Sequence, residues 1–69
     1  MDKNNIKTLW TAEEVAKRLR VNPVTIRTAI AKGNLSAFRA GGQYRIEFAD
    51  LEKFIGADRA ASLFAERKQ

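Results

Sequence analysis

Seven basic side chains and not one acid lie between Glu14 and Glu47 of this 69-residue chain. Residues 1–14 and 47–69 each carry a nominal charge of −1, so the segment between them holds +7. A segment this one-sided creates a positive potential that attracts polyanions, as in small nucleic-acid-binding modules. Nucleic acid is the first partner that we expect; the alternative is a domain that is basic for solubility alone. The basic residues are Lys17, Arg18, Arg20, Arg27, Lys32, Arg39 and Arg45.

The side chains that most often carry enzymatic chemistry are absent from the sequence. Because there is no Cys, the chain lacks a disulfide, a thiol nucleophile and the ligands of a zinc knuckle. Because there is no His, it also lacks an imidazole base and a common metal ligand. We therefore expect a protein that is not an enzyme and that holds no metal or other cofactor.

Targeting signals are missing as well. Residues 1–5 lack the apolar stretch of a signal peptide, and no apolar run approaches the length that spans a bilayer. The sequence therefore predicts a cytoplasmic, nucleoid-associated protein without membrane contact. At this length and 45% hydrophobic content, the chain forms one small domain.

The first predicted helix has its N-cap at Thr11. Thr11 and Glu14 have the spacing of a capping box, in which each side chain accepts a hydrogen bond from the other residue's backbone amide. Trp10 and Val15 stand at the two positions of a hydrophobic staple, and we expect Trp10 to anchor the core. The following apolar residues recur at helical spacing and predict a helix over residues 12–19.

A second helix is predicted to start three residues later. Asn22 is a strong N-cap, Pro23 suits the first helical position and Gly33 suits a left-handed helix end, so the helix should cover about residues 23–32. Ile26 and Ile30 mark its inward side. The outward side combines small and basic side chains, which suits a groove better than bulk water. It consists of Val24, Thr25, Arg27, Thr28, Ala31 and Lys32.

Two capped helices at this spacing predict a helix-turn-helix, with Ala16 at their closest approach and Ile26 as the inward anchor. Arg20 stands where many such motifs place a glycine in a left-handed turn. Either the turn is wound differently in this chain, or Arg20 stores on the order of 1 kcal/mol of strain.

Residues 35–46 predict a β-hairpin around a short glycine-containing loop. The loop length sets which side chains share a face. A two-residue Gly-Gly loop would place Phe38 opposite Arg45, whereas a three-residue Ala-Gly-Gly loop would place Phe38 opposite Tyr44. We favour the three-residue loop, because it separates an apolar face from a basic one. The basic face would then hold Arg39, Gln43 and Arg45.

The last third of the sequence predicts a third helix, ended by Gly56, and a tail. The third helix should close the core and lie away from nucleic acid, because phosphate would repel its outward acids. Residues 57–69 form a tail or short helix, with Ala60, Leu63 and Phe64 on one face. Either this face packs back on the core, or residues 58–69 contact a neighbouring protomer or a recombinase. The core stripe of the third helix comprises Phe48, Leu51, Phe54 and Ile55.

This order of parts resembles the excisionase-family DNA-binding domain, which is related to the winged helix of MerR-type regulators. The likeness covers about residues 9–55: capping box, second helix, Gly-x-Leu, glycine wing, Tyr-Arg-Ile and a final Asp-Leu helix. It implies a mostly α, MerR/excisionase-like fold with a two-stranded β wing, a winged helix-turn-helix, to which residues 57–69 can add an extra C-terminal helix. It also implies that the second helix enters the major groove of double-stranded DNA and that the wing lies on the minor groove or the backbone.

The predicted organisation is a flexible arm over residues 1–8, a winged helix-turn-helix DNA-binding domain over residues 9–56, and the tail. By the resemblance, Thr25, Arg27 and Thr28 face bases or phosphates, and Arg39 and Arg45 serve the wing. The remaining basic residues position the DNA backbone. The predicted DNA-contacting residues are Lys17, Arg18, Arg20, Pro23, Val24, Thr25, Arg27, Thr28, Lys32, Arg39, Gly41, Gly42, Gln43 and Arg45.

Three functions stay open at this point. The first is a recombination directionality factor (excisionase), which would bind adjacent sites cooperatively and favour excision of a mobile element. The second is a small transcriptional regulator that uses the same DNA-binding head, with self-association on DNA in either case. The third is a protein-interaction module whose basic face binds an acidic partner, and it predicts no duplex binding at physiological salt.

Overall fold

The computed structural model describes residues 9–67, so the predicted N-terminal arm lies outside the described residues. Helices dominate this part of the chain, together with a small antiparallel sheet. The elements in order are β1 (Trp10–Thr11), α1 (Ala12–Leu19), α2 (Pro23–Ala31), β2 (Phe38–Ala40), β3 (Gln43–Ile46), α3 (Phe48–Ile55), α4 (Ala57–Phe64) and a 3₁₀ turn (Ala65–Arg67).

The capping box predicted at the start of α1 is confirmed. The Glu14 amide donates to Thr11 Oγ1 at 3.1 Å, and the Thr11 amide donates to Glu14 Oε1 at 3.0 Å. The two bonds satisfy amides that the first helical turn leaves without an intrahelical acceptor. Trp10, immediately before the cap, is fully buried, as predicted.

The turn between α1 and α2 resolves the question raised by Arg20. Arg20 has φ 61° and ψ 43°, the left-handed conformation, so the turn has the usual winding with a non-glycine residue in it. The amide of Val21 donates to the Ala16 carbonyl at 2.9 Å, which closes the end of α1. Asn22 Oδ1 then accepts the Val24 amide at 2.9 Å and caps α2.

The core lies between the helices and one face of the sheet. Ala16 and Ile26 are both about 1% exposed, as expected for the close approach of α1 and α2. Gly33 has φ 83° and follows the end of α2, which confirms its predicted place. The buried apolar residues are Trp10, Ala12, Val15, Ala16, Ile26, Leu35, Ile46, Phe48, Leu51, Ala60 and Phe64.

The sheet has three strands in the order β1-β3-β2, with antiparallel neighbours. The sequence did not predict β1, which pairs Trp10 with Ile46 and Thr11 with Arg45. This pairing connects the wing to the start of α1. The base of the wing is therefore fixed to the helix-turn-helix by backbone pairing as well as by side-chain packing.

The predicted register of the hairpin is wrong. Phe38 pairs with Arg45, Arg39 with Tyr44 and Ala40 with Gln43, so the loop contains two residues, Gly41 and Gly42. Their φ angles are 61° and 82°, which two successive glycines adopt readily, and this type of turn matches the right-handed twist of the strands. The geometry of the turn therefore decides the register, and the separation into an apolar and a basic face is lost.

The C-terminal segment packs back on the core, one of the two predicted alternatives. Ala60 and Phe64 of α4 are fully buried. The Phe64 ring meets the Trp10 ring edge to face, with centroids 4.8 Å apart and an interplanar angle of 86°. Such aromatic pairs add to the stabilisation that burial alone provides. One face of α4 is therefore part of the same core that holds α1.

Candidate nucleic-acid interface

The outward face of α2 exposes the small and basic side chains predicted for it. Val24 is 61% exposed, although it is apolar, and Thr25, Arg27 and Thr28 are exposed as well. Ile26 is buried on the other side of the helix. An exposed helix face with short side chains can approach base edges closely in a groove as wide as the major groove of DNA.

A cavity of about 240 Å³ separates this helix from the wing. It brings together four of the predicted DNA-contacting residues, Arg27 of α2 and Arg39, Gly42 and Gln43 of the wing. The wing and α2 thus face each other across one concave surface. The lining is completed by residues that the sequence did not single out as contacts, namely Thr11, Ala12, Glu13 and Tyr44.

Arg27 forms an ion pair across this cavity. Its Nη2 donates to Glu13 Oε2 at 3.2 Å, and the two side chains are 47% and 66% exposed. Ion pairs that are this exposed contribute little to stability, and this one leaves other N–H donors of the guanidinium for a second acceptor. Sequence reasoning missed Glu13, because the contact depends on how α1 and α2 cross rather than on sequence spacing.

Arg39 and Arg45 of the wing lie on different faces, because of the observed register. Arg39 pairs with Tyr44, and its guanidinium carbon lies 5.2 Å from the centre of the Tyr44 ring. Arg45 pairs with Phe38, which is 45% exposed. Residues directly opposite each other on two strands share a face of the sheet. The wing thus presents one arginine to the cavity and places the other beside an exposed phenylalanine.

Arg18 lies apart from the cavity and is held by the C-terminal segment. Its guanidinium carbon lies 4.6 Å from the centre of the Trp10 ring, and its Nη1 donates to the Leu63 carbonyl at 2.7 Å. A bidentate contact with the Glu66 carboxylate adds to these. The hydrogen bond with Glu66 is the main reason why the pKa of Arg18 lies above its ordinary value. A DNA contact by Arg18 would compete with this set of interactions.

The other predicted contact residues lie outside the cavity between α2 and the wing. Lys17 is exposed and shares a second cavity, of about 340 Å³, with Trp10, Glu14 and Arg18. Arg20 and Lys32 are exposed, at the turn before α2 and just beyond its end. The three remaining positions are Pro23, half-buried, Gly41, exposed at the wing tip, and Arg45, half-buried.

Two further properties of residues 9–67 bear on function. Within this range, His, Cys, Asp and Glu do not cluster in a way that could hold a metal ion. None of the helices in the same range combines the length and the apolar character needed to cross a membrane.

Comparisons with known proteins identify the motif. Over 45 residues the chain is 42% identical to YvgK of Bacillus subtilis (strain 168), a protein described as uncharacterized. The match covers 65% of this chain and 15% of YvgK, so the chain spans a small part of that relative's length. No solved structure matches the chain. The model of the helix-turn-helix domain family matches residues 11–59, well over half of the chain, and the chain therefore belongs to that family.

Proposed function

We propose that this helix-turn-helix domain binds double-stranded DNA in a sequence-specific manner, with α2 in the major groove and the β2–β3 wing on the minor groove or the backbone. The observation that carries the proposal is the concave surface on which Arg27 of α2 faces Arg39 and Gln43 of the wing. A surface of this shape suits a phosphate backbone that runs between the two grooves. Arginines on both of its sides supply the charge that phosphate needs.

Base readout would come from the middle of α2. Arg27 can donate two parallel hydrogen bonds to guanine or bind a phosphate, while Val24 and Thr28 can contact thymine methyl groups. All three side chains are exposed in the free protein. Because Val24 and Thr28 are short and Arg27 carries donors on the same helix face, α2 is the element that reads sequence.

Affinity would come mainly from phosphate contacts by the exposed lysines and arginines around α2. If about five phosphates are neutralised, the logarithm of the binding constant should fall with the logarithm of salt concentration at a slope of about −4 to −5. A slope near zero, measured by titration of a labelled duplex at several salt concentrations, would rule out electrostatic binding. It would then favour the alternative of a module that binds an acidic protein.

For the biological role we favour a recombination directionality factor, because the order of elements over residues 9–55 resembles that of excisionases. A single head of this size buries too little surface for high specificity, so adjacent copies would bind DNA cooperatively. The outward side of α4, which includes Asp58, Arg59 and Ser62, is exposed and is available for a contact with a second copy or a recombinase. A transcriptional regulator would use the same DNA-binding residues.

The experiment that tests the proposal is capture of sheared DNA from the source organism by the purified protein at physiological salt, followed by sequencing. Closely repeated sites beside a recombination junction would identify an excision factor, and sites that overlap promoters would identify a regulator. Absence of enrichment over random fragments would contradict sequence-specific binding. A matched control is the variant Arg27→Ala, which should lose the enrichment of particular sites while it retains some DNA.

A further inference from the structure

We infer that Glu13 is a specificity-determining residue: its carboxylate holds Arg27 in position for base recognition and weakens binding to DNA that lacks the target sequence. The inference rests on the proposed function. Two observations support this role of Glu13. Arg27 Nη2 lies 3.2 Å from Glu13 Oε2, and both residues line the cavity between α2 and the wing.

The first consequence of the pair is orientation. Arginine has a long side chain with many rotamers, and ordering it on binding lowers affinity. The contact with Glu13 uses Nη2, and the guanidinium has further N–H donors on Nη1 and Nε. Arg27 can therefore stay on the carboxylate while the rest of its guanidinium faces a guanine. Glu13 then lowers the loss of side-chain freedom at the correct site.

The second consequence is electrostatic. Glu13 is 66% exposed and lines the same cavity as Arg27 and Arg39. Binding to random duplexes rests on phosphate contacts, and a carboxylate close to phosphate opposes them. At the correct site, base contacts offset this repulsion, whereas at other sites nothing does. Glu13 therefore acts against the wrong partner as well as for the right one.

The conservative variant Glu13→Asp separates orientation from charge. Asp keeps the negative charge in the first turn of α1 but is one methylene shorter, so its contact with Arg27 is lost. Glu13→Gln removes the charge at nearly constant shape. Glu52→Gln is the matched control, because Glu52 lies on α3, outside the cavity. Circular dichroism of all three variants shows whether the fold is kept.

The experiment measures the dissociation constants of these variants for the duplex enriched by genomic capture and for a scrambled duplex of the same composition. We expect Glu13→Gln to lower the ratio of the dissociation constant for the scrambled duplex to that for the enriched duplex roughly tenfold. The enriched duplex should bind more weakly and the scrambled duplex more tightly. Glu13→Asp should weaken binding to the enriched duplex alone, and Glu52→Gln should leave the ratio unchanged. In a protein that already carries Arg27→Ala, Glu13→Gln should no longer weaken binding to the enriched duplex.

Two results would overturn the inference: a Glu13→Asp variant that binds like the wild type, or a Glu13→Gln variant that tightens both duplexes equally. The first would make Glu13 a charge without a positioning role, and the second would make it a uniform repulsion. The Arg27 Nε–H signal in NMR spectra of the free protein is an independent readout, and it should shift in both variants. If the wild type itself fails to distinguish the duplexes, the proposed function has failed, which is visible before any variant is compared.

Discussion

Arg18 and Arg27 both bind a glutamate, but the two ion pairs lie in different surroundings. Arg18 lies over the Trp10 ring and donates to the Leu63 carbonyl and to Glu66, so its guanidinium connects α1 to the C-terminal segment. Arg27 donates to Glu13 in an open cavity beside the exposed face of α2. The same side-chain chemistry therefore stabilises the fold in one place and is available for a ligand in the other.

The difference shows what a positive segment does and does not predict. Both arginines lie in the acid-free stretch from residue 15 to residue 46, and charge alone assigns both to nucleic acid. The acids that bind them, Glu13 and Glu66, come from outside that stretch. A basic residue is thus not available for DNA where the fold places an acid and an aromatic ring around it, as it does for Arg18. Counting charges along the chain does not reveal such surroundings.

The largest effect that we predict is at Phe64, whose ring packs against the Trp10 ring that Arg18 covers. Phe64→Ala removes a fully buried ring that packs against Trp10 and should lower the free energy of unfolding by about 3–5 kcal/mol. A domain of this size has little stability beyond that amount. Urea unfolding followed by the fluorescence of Trp10 measures it. The matched control is Phe38→Ala, where the ring is 45% exposed and the loss should stay below about 1 kcal/mol. Equal losses would contradict the packing of α4.

Replacing each of the two arginines by alanine tests the difference between their roles directly. Arg18→Ala removes a cation–π contact and a charged hydrogen bond and should destabilise the fold by about 1–2 kcal/mol. Arg27→Ala should change stability by less than about 0.5 kcal/mol but should alter sequence preference by about 1–3 kcal/mol. Thermal unfolding and binding to two duplexes measure both quantities.

Two outcomes of these measurements would contradict the different roles of Arg18 and Arg27. If Arg18→Ala leaves the melting temperature unchanged and shifts sequence preference, then Arg18 leaves the C-terminal segment to contact DNA. If Arg27→Ala weakens all duplexes by the same factor, Arg27 contacts phosphate and does not read bases. Arg18→Lys is a useful intermediate, because it keeps the charge but not the planar fork that binds Glu66 on two sides.

The helices were predictable because their ends carry local signals. The capping box of α1, Asn22 and Pro23 at the start of α2, and Gly56 after α3 each act within a few residues, so sequence alone places the boundaries. The register of the hairpin and the strand β1 were not predicted. The register depends on the twist that a Gly41-Gly42 turn imposes, and β1 depends on a partner more than thirty residues away.

In the candidate site, too, the residues set by local periodicity were predictable, and those set by tertiary structure were not. Val24, Thr28 and Arg27 follow from helical periodicity once the boundaries of α2 are known. Their neighbours across the cavity do not follow from periodicity, because the pairing of β1 with β3 fixes where the base of the wing lies. The sequence signal for Glu13 is that it is an acid in the first turn of α1. When a second helix that carries an arginine packs against this one, such an acid is a candidate partner for the arginine.

A smaller effect is expected at Arg20, a basic residue at which backbone strain can be separated from charge. Arg20→Gly should stabilise the fold by about 0.5–1 kcal/mol, since glycine takes φ 61° without the clash of a side chain. Arg20→Ala removes the same charge but keeps the strain, so it should bring no gain. Chemical denaturation of the two variants measures the difference. A gain in both variants would show that repulsion between basic residues, and not backbone strain, is relieved.

The smallest effect is expected at Lys17, which neighbours Arg18 in sequence and shares its cavity but is exposed. Lys17→Ala should change stability by less than about 0.5 kcal/mol, because no burial is lost. If Lys17 contacts phosphate, every duplex should bind more weakly by the same factor, and the slope of binding against salt should become shallower by about 1. Lys53→Ala, on the exposed side of α3, is the matched control and should leave the slope unchanged. If both variants lower the slope equally, net charge governs binding and the side of α1 that carries Lys17 has no special role. A change at Lys17 alone would extend the DNA-contacting surface around α1 to the cavity that Lys17 shares with Arg18.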